Sequence, residues 1–189
     1  MDSVLIVSSK QQAAAALETL LRAERFTSFE TAASAAQTRR ICSERDFGLI
    51  VINSPLSDEF GDALALDLLK NTSSGVMLAV KAENEAAADS KVAAFGAFVI
   101  SKPLNRQLFS KAVRYMQAAQ NRMNGIRREN VKLQKKIEEI RLINRAKYIL
   151  MEYLSMTEQQ AHRYLEKQAM DLRITKLEVA KNLLSTYDS

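Results

Sequence analysis

Residues 116–144 read MQAAQNRMNGIRRENVKLQKKIEEIRLIN, and the spacing of their apolar side chains divides the chain into three parts. With Met123 in the first heptad position, Met116, Met123, Asn130, Ile137 and Asn144 fall at a, and Ala119, Ile126, Leu133 and Ile140 at d. Alternating steps of three and four held over this length describe a coiled-coil seam, because a 3.5-residue repeat keeps one apolar stripe turned toward a partner helix. Asn at a positions costs stability but selects register and a two-stranded state, since facing amides hydrogen-bond across the dimer. The stretch is read as a homodimer seam made by Met123, Ile126, Asn130, Leu133, Ile137, Ile140 and Asn144. A long amphipathic helix packed inside one chain is the alternative.

Composition narrows the rest. The 189 residues hold five Gly, two Pro and no Trp, which disfavours a turn-rich all-β fold and leaves aliphatic side chains to build the core. Cys42 stands alone, the acidic start Met1-Asp2-Ser3 is unlike a signal peptide, and no segment reaches the ~18 apolar residues of a membrane span. A reducing, cytoplasmic setting without membrane association is the expectation. The net charge of +5 is uneven: residues 1–103 carry ten Lys/Arg against thirteen Asp/Glu, and residues 104–189 carry seventeen against nine. Any surface for a polyanion is expected after residue 103, although a solvated Lys-rich helix face has the same composition.

Upstream of the seam, short β-branched runs alternate with helical patterns. Val4–Val7, Gly48–Ile52, Val76–Val80 and Phe98–Ile100 read as buried parallel strands, with Phe26–Thr31 a weaker fifth. Gln11–Ala23, Ala33–Ser43, Asp58–Lys70 and Glu83–Phe95 are long enough to be covering helices. Five such units predict an α/β domain with a doubly wound, five-stranded parallel sheet. Pro55 and Gly61 after the third strand, and Ser101-Lys102-Pro103 after the fifth, make residues 1–115 resemble the receiver domain of two-component response regulators.

The resemblance implies an acidic pair after the first strand that binds Mg²⁺, a phosphate-accepting Asp ending the third, a Thr/Ser after the fourth and a Lys before Pro. The matching positions here are Ser8-Ser9, Asn53, Ala79 and Lys102, so only the lysine is retained. Phosphoryl transfer to a carboxylate needs that carboxylate as nucleophile and a hard cation held by anionic oxygen, and neutral Asn and Ser provide neither. The domain is therefore read as a pseudo-receiver without metal or other cofactor, in which Lys102 forms a structural hydrogen bond with Asn53. Asp58 is expected to cap the helix that follows it. Gly125 is either a hinge in the helix leading to the seam or a tolerated helical residue.

Beyond the seam, residues 141–189 parse as three helices. The first ends near Tyr153 or Leu154, Thr157 with Gln160 makes a capping box for Glu158–Leu172, and Thr175 with Glu178 caps a third that continues to about Leu184. Ile149, Leu150, Leu154, Ala161, Leu165, Ala169, Leu177, Ala180 and Leu184 are the expected core. Ala146-Lys147, Leu150-Met151, Thr157-Glu158, Ala161, Ala169-Met170, Arg173 and Glu178-Val179-Ala180 give this segment a resemblance to the ANTAR domain, the RNA-binding module of bacterial antitermination regulators. That resemblance implies binding to paired hairpins in leader RNA, which prevents a terminator from forming.

The expected RNA-contacting set is Arg145, Lys147, Arg163, Lys167, Arg173, Lys176 and Lys181, with Lys147 and Arg173 leading because they coincide with the motif. Tyr148, Tyr153 and Tyr164 either stack on bases or edge the core. His162 is expected on the surface without a carboxylate partner. No nucleophile beside a base, metal-ligand cluster or Gly-rich phosphate loop is present, so an enzyme is not expected. The chain is thus read as a dimeric RNA-binding antiterminator, its input a sensor protein, a small ligand or protein concentration. A protein-interaction adaptor using the coiled coil and basic tail is the second reading.

Overall fold

The computed structural model describes residues 3–187, which divide into two compact units between Asn124 and Gly125. The first unit contains β1 (Ser3–Val7), α1 (Gln11–Ala23), β2 (Ser28–Ala32), α2 (Ala35–Glu44), β3 (Leu49–Asn53), α3 (Asp62–Asn71), β4 (Gly75–Lys81), α4 (Glu85–Val92) and β5 (Phe98–Lys102). All neighbouring strands are parallel, in the order β2-β1-β3-β4-β5.

Period-two alternation in β1 and β3 feeds two cores. Leu5, Val7, Ile50 and Ile52 pack with Leu64, Ala65 and Leu68 of α3 and with Val92 of α4 on one face. On the other, Val4, Ile6, Leu49 and Val51 meet Leu17 and Leu21 of α1 and Phe109 and Val113 of the next helix. Burial on both faces is why these strands are continuously apolar.

Several boundaries differ from the expectation. Phe26 is buried below the end of α1, where its N–H reaches the Leu21 carbonyl and Arg25 turns at φ +70°, so β2 starts two residues later than predicted. The helix expected over Glu83–Phe95 is a short α4 flanked by 3₁₀ turns, Ala82–Asn84 and Ala93–Phe95. The helix expected from Asp58 begins at Asp62, after Gly61 at φ +108°, a conformation that disfavours any side chain; a Cβ there stands 3.0 Å from Ile52 Cγ2.

Asp58 consequently caps a different helix. Its Oδ1 accepts from Ala35 N at 2.9 Å and its Oδ2 from Ala36 N at 3.0 Å, closing the start of α2 together with Ser34. The loop from Ser54 to Gly61 leaves Asp58 short of α3 but within reach of the positive end of α2, where a carboxylate is favoured.

α5 (Arg106–Leu154) starts where Asn105 Oδ1 accepts from Gln107 N at 2.9 Å and Leu108 N at 3.1 Å. Met116 is partly buried against the sheet core, and Gln120 donates to the Ser73 carbonyl, so the first heptad position packs within the first unit. Gly125 lies inside the helix with open space beside its Cα. Met123, Ile126, Leu133, Ile137 and Ile140 are exposed along α5, and Asn130 with them; Asn144 is half-buried.

The second unit is a three-helix packing of the end of α5 with α6 (Glu158–Leu172) and α7 (Lys176–Tyr187). Ala146, Leu150, Ala161, Leu165, Val179, Ala180 and Leu184 form its core. Leu154, expected inside, is exposed because it ends α5 just before Ser155 turns the chain at φ +51°, and Leu177 is only half-buried. Val179 is buried instead. Both predicted capping boxes are present: Thr157 with Gln160, and Thr175 with Glu178.

The Ala35 and Ala36 N–H groups hold the Asp58 carboxyl below the usual carboxylate range. The stabilisation is therefore complete above the ordinary aspartate pKa of ~3.9 and is lost as pH falls through the lowered folded value. Asp58→Asn is expected to flatten the acid limb of the urea midpoint plotted against pH; an unchanged slope removes Asp58 from acid sensitivity.

Candidate functional site

Chain reversal between β1 and β3 creates a topological switch point, and the crevice outside the carboxyl ends of such strands is where open α/β sheets take ligands. Ser8, Asn53 and Lys102, at or just beyond the ends of β1, β3 and β5, meet there. Lys102 Nζ donates to Asn53 Oδ1 at 3.0 Å and to the Ser54 carbonyl, while Asn53 Nδ2 donates to Ser8 Oγ at 3.0 Å. The expected Lys102–Asn53 bond is thus formed, and Ser8 extends it. Ser9 is exposed, and Ala79 is fully buried opposite Asn53 in the ladder.

A divalent cation does not fit this donor set. The groups facing the crevice are neutral amide and hydroxyl groups plus an ammonium, whereas hard cations require anionic oxygen. Nearby carboxylates are engaged elsewhere: Asp58 on α2, Glu59 on Leu64 N and Arg39, and Asp62 on Lys91. Among the described residues no three His, Cys, Asp or Glu side chains gather as metal ligands. The half-buried Cys42 thiol is pushed up to about 11, chiefly by burial, so it stays protonated near neutrality.

The second unit carries a basic surface. Arg145, Arg163, Lys167, Arg173 and Lys181 have exposed side chains. Lys147 and Lys176 are tied to carboxylates: Lys147 Nζ lies 3.0 Å from Glu158 Oε1, with 14% of its side chain exposed, and Lys176 Nζ lies 3.1 Å from Glu166 Oε1. Lys147 therefore fastens the end of α5 to the first turn of α6. His162 is on the surface as expected but does have a carboxylate, Glu166 Oε1 at 3.2 Å, because i and i+4 share a helix face. Bonding to Lys176, with His162 adding, holds the Glu166 carboxyl low.

Arg173 occupies the left-handed cap of α6 at φ +54°, its N–H directed to the Ala169 and Met170 carbonyls. Around it, Met170 is 79% exposed and Leu172 is also open to solvent. These two apolar side chains were not selected from sequence. Their signal was available: Met170 lies off the Ala161–Leu165 buried stripe yet inside the motif. Tyr148 is 67% exposed above a cavity lined by Asn144, Lys147, Met151 and Glu158, whereas Tyr164 packs partly into the core. The Tyr153 ring lies 5.2 Å from that of Tyr187, so one side of it is covered.

The family model described as "ANTAR domain" matches residues 131–184. The first unit is similar to the signal receiver domain of an HD domain-containing protein from Pseudomonas fluorescens Pf-5, with TM-score 0.58 and 20% identity over 65% of this chain and 91% of that one. It is also similar to a two-component response regulator from Clostridium difficile, with TM-score 0.54 and 20% identity over 60% and 93% of the two chains. A receiver domain protein from Methanospirillum hungatei JF-1 gives TM-score 0.55 and 20% identity over 64% and 97%. These are likenesses of fold. No curated protein matches at a significant level. Among the described residues, no helix is long and apolar enough to cross a membrane.

With the neutral Asn53 amide held between Ser8 and Lys102, a small phosphodonor with Mg²⁺ is expected to leave the intact mass of the protein unchanged. A stable added phosphoryl group overturns this reading.

Proposed function

We propose that this chain, an ANTAR protein with an N-terminal domain of receiver fold, is a non-enzymatic antiterminator that binds hairpins in nascent leader RNA as a homodimer and prevents terminator formation. The observation that carries the reading is the family match over residues 131–184, which spans the whole core of the second unit. Its chemistry suits the task. Exposed Arg163 and Lys167, one turn apart on α6, supply phosphate contacts, and Arg173 with Met170 offers a guanidinium plane and an apolar face to an unstacked loop base. Lys181 adds charge from α7, Arg145 from α5, and Lys147 and Lys176 support the surface through their ion pairs.

Dimerisation uses the stripe Met123, Ile126, Leu133, Ile137 and Ile140. Apolar side chains exposed at heptad spacing over five turns are costly in water and are covered when two copies of α5 pair. Asn130 and Asn144 set the register. The receiver-like domain works without phosphate transfer or a cofactor, and a sensor protein or a small ligand supplies its input. The setting is cytoplasmic.

A two-hairpin leader RNA is expected to bind more tightly than an unrelated RNA of equal length at physiological salt. Equal binding to both leaves only a nonspecific or adaptor role. Arg173→Ala keeps a β-carbon at the left-handed cap and is expected to weaken hairpin binding by about 1–3 kcal/mol without changing thermal stability. Unchanged affinity removes Arg173 from the interface.

The dimer has its own test. Sedimentation at micromolar concentration is expected to give a dimer that Ile137→Asp converts to monomer; a wild-type monomer assigns the stripe another role.

A further inference from the structure

Lys81 and Lys102 are direct partners in the β4–β5 ladder, so two ammonium groups rise from the same face of adjacent parallel strands. Lys10, first residue of the turn into α1, donates its N–H to Ser8 Oγ, the hydroxyl that Asn53 also uses. Like charges directly opposite one another in a sheet are destabilising. Among the described residues, Lys81 alone of the three pairs with an acid, Glu83 at 3.4 Å, and both members of that pair are largely exposed. Lys102 has neutral oxygen partners at Asn53 and Ser54. The Ser54 hydroxyl in the same turn is 1% exposed and has no hydrogen-bond partner among the described residues.

We propose that the carboxyl end of this sheet is a binding site for a small phosphate-bearing anion, held without covalent transfer by Lys102, Lys81 and Lys10. The anion offsets the repulsion between the paired lysines and accepts from ammonium donors; lysine binds phosphate as a compact point charge. The Lys102–Asn53–Ser8 hydrogen bonds link these lysines to the switch point between β1 and β3, where this sheet topology takes ligands, and the positive end of α1 follows directly after Lys10. Burial, with Lys10 and Lys81 adding, already presses the Lys102 ammonium below its ordinary pKa, a strain that a neighbouring anion relieves. No metal is needed, because the lysines provide the charge a cation supplies elsewhere. The proposal rests on the reading of Asn53 as unable to accept phosphate covalently, and it assigns the small-ligand input of the proposed function a chemical class.

Titration calorimetry on the full-length protein, in EDTA and at matched ionic strength, tests it with inorganic phosphate and with glycerol phosphate. Saturable binding of one or both is expected, and the stronger of the two distinguishes a free phosphate from a phosphomonoester. Lys102→Gln and Lys81→Gln are each expected to weaken binding by about tenfold, and Lys70→Gln, an exposed lysine late in α3, to leave it unchanged. Lys81 is exposed, so its variant reports on the site even if Lys102→Gln fails to fold. Absence of saturable binding, or equal affinity in all variants, overturns the proposal. Intact mass measured on the same samples separates the failures: an added phosphoryl group sinks the non-covalent reading of Asn53, whereas no binding with unchanged mass sinks only the anion site.

Discussion

One helix must satisfy two cores that are built on different periodicities. The first turns of α5 present Phe109, Ala112, Val113 and Met116 to the underside of a parallel sheet, at i, i+3, i+4 and i+7. Its last turns present Ala146 and Leu150 to α6 and α7, the small residue permitting close approach. Between those ends the apolar stripe shifts to heptad steps and remains exposed. Neither core is complete without residues of the 49-residue α5, and the stretch of the helix between those ends is the one left with an exposed apolar stripe. The proposed pairing of two copies of α5 covers this stripe.

The crevice at the strand ends is built from neutral groups and one ammonium. A phosphotransfer site gathers carboxylates around a cation. Here the same strand ends bring together Ser8, Asn53 and Lys102 in a hydrogen-bonded chain that involves no acid. A second lysine, Lys81, pairs with Lys102 across the β4–β5 ladder.

In the second unit the basic residues nearest the motif divide into ion-paired and exposed ones. Lys147, which coincides with the motif, is mostly buried and spends its charge on Glu158, while Arg173, equally conspicuous in sequence, projects from a left-handed cap among exposed Met170 and Leu172. Charge alone could not separate these two environments. Which lysine faces a glutamate depends on how helix ends come together, and that is a property of packing rather than of composition.

The fold class, the order of its elements and both capping boxes were legible in the chain, since burial on both faces demands unbroken apolar strands and helix starts require local acceptors for their N–H groups. The neutrality of Ser8 and Asn53 is plain from the residues, whereas the meeting of Asn53 with Lys102 was implied by the resemblance to receiver domains. Long-range geometry decided the remainder. Asp58 serves α2 across a loop, Val179 is buried where Leu154 is exposed, and Lys81 stands beside Lys102 only because β4 and β5 pair in one register. Local interactions are written in neighbouring residues, whereas a partner twenty or more positions away is chosen by the way the cores close.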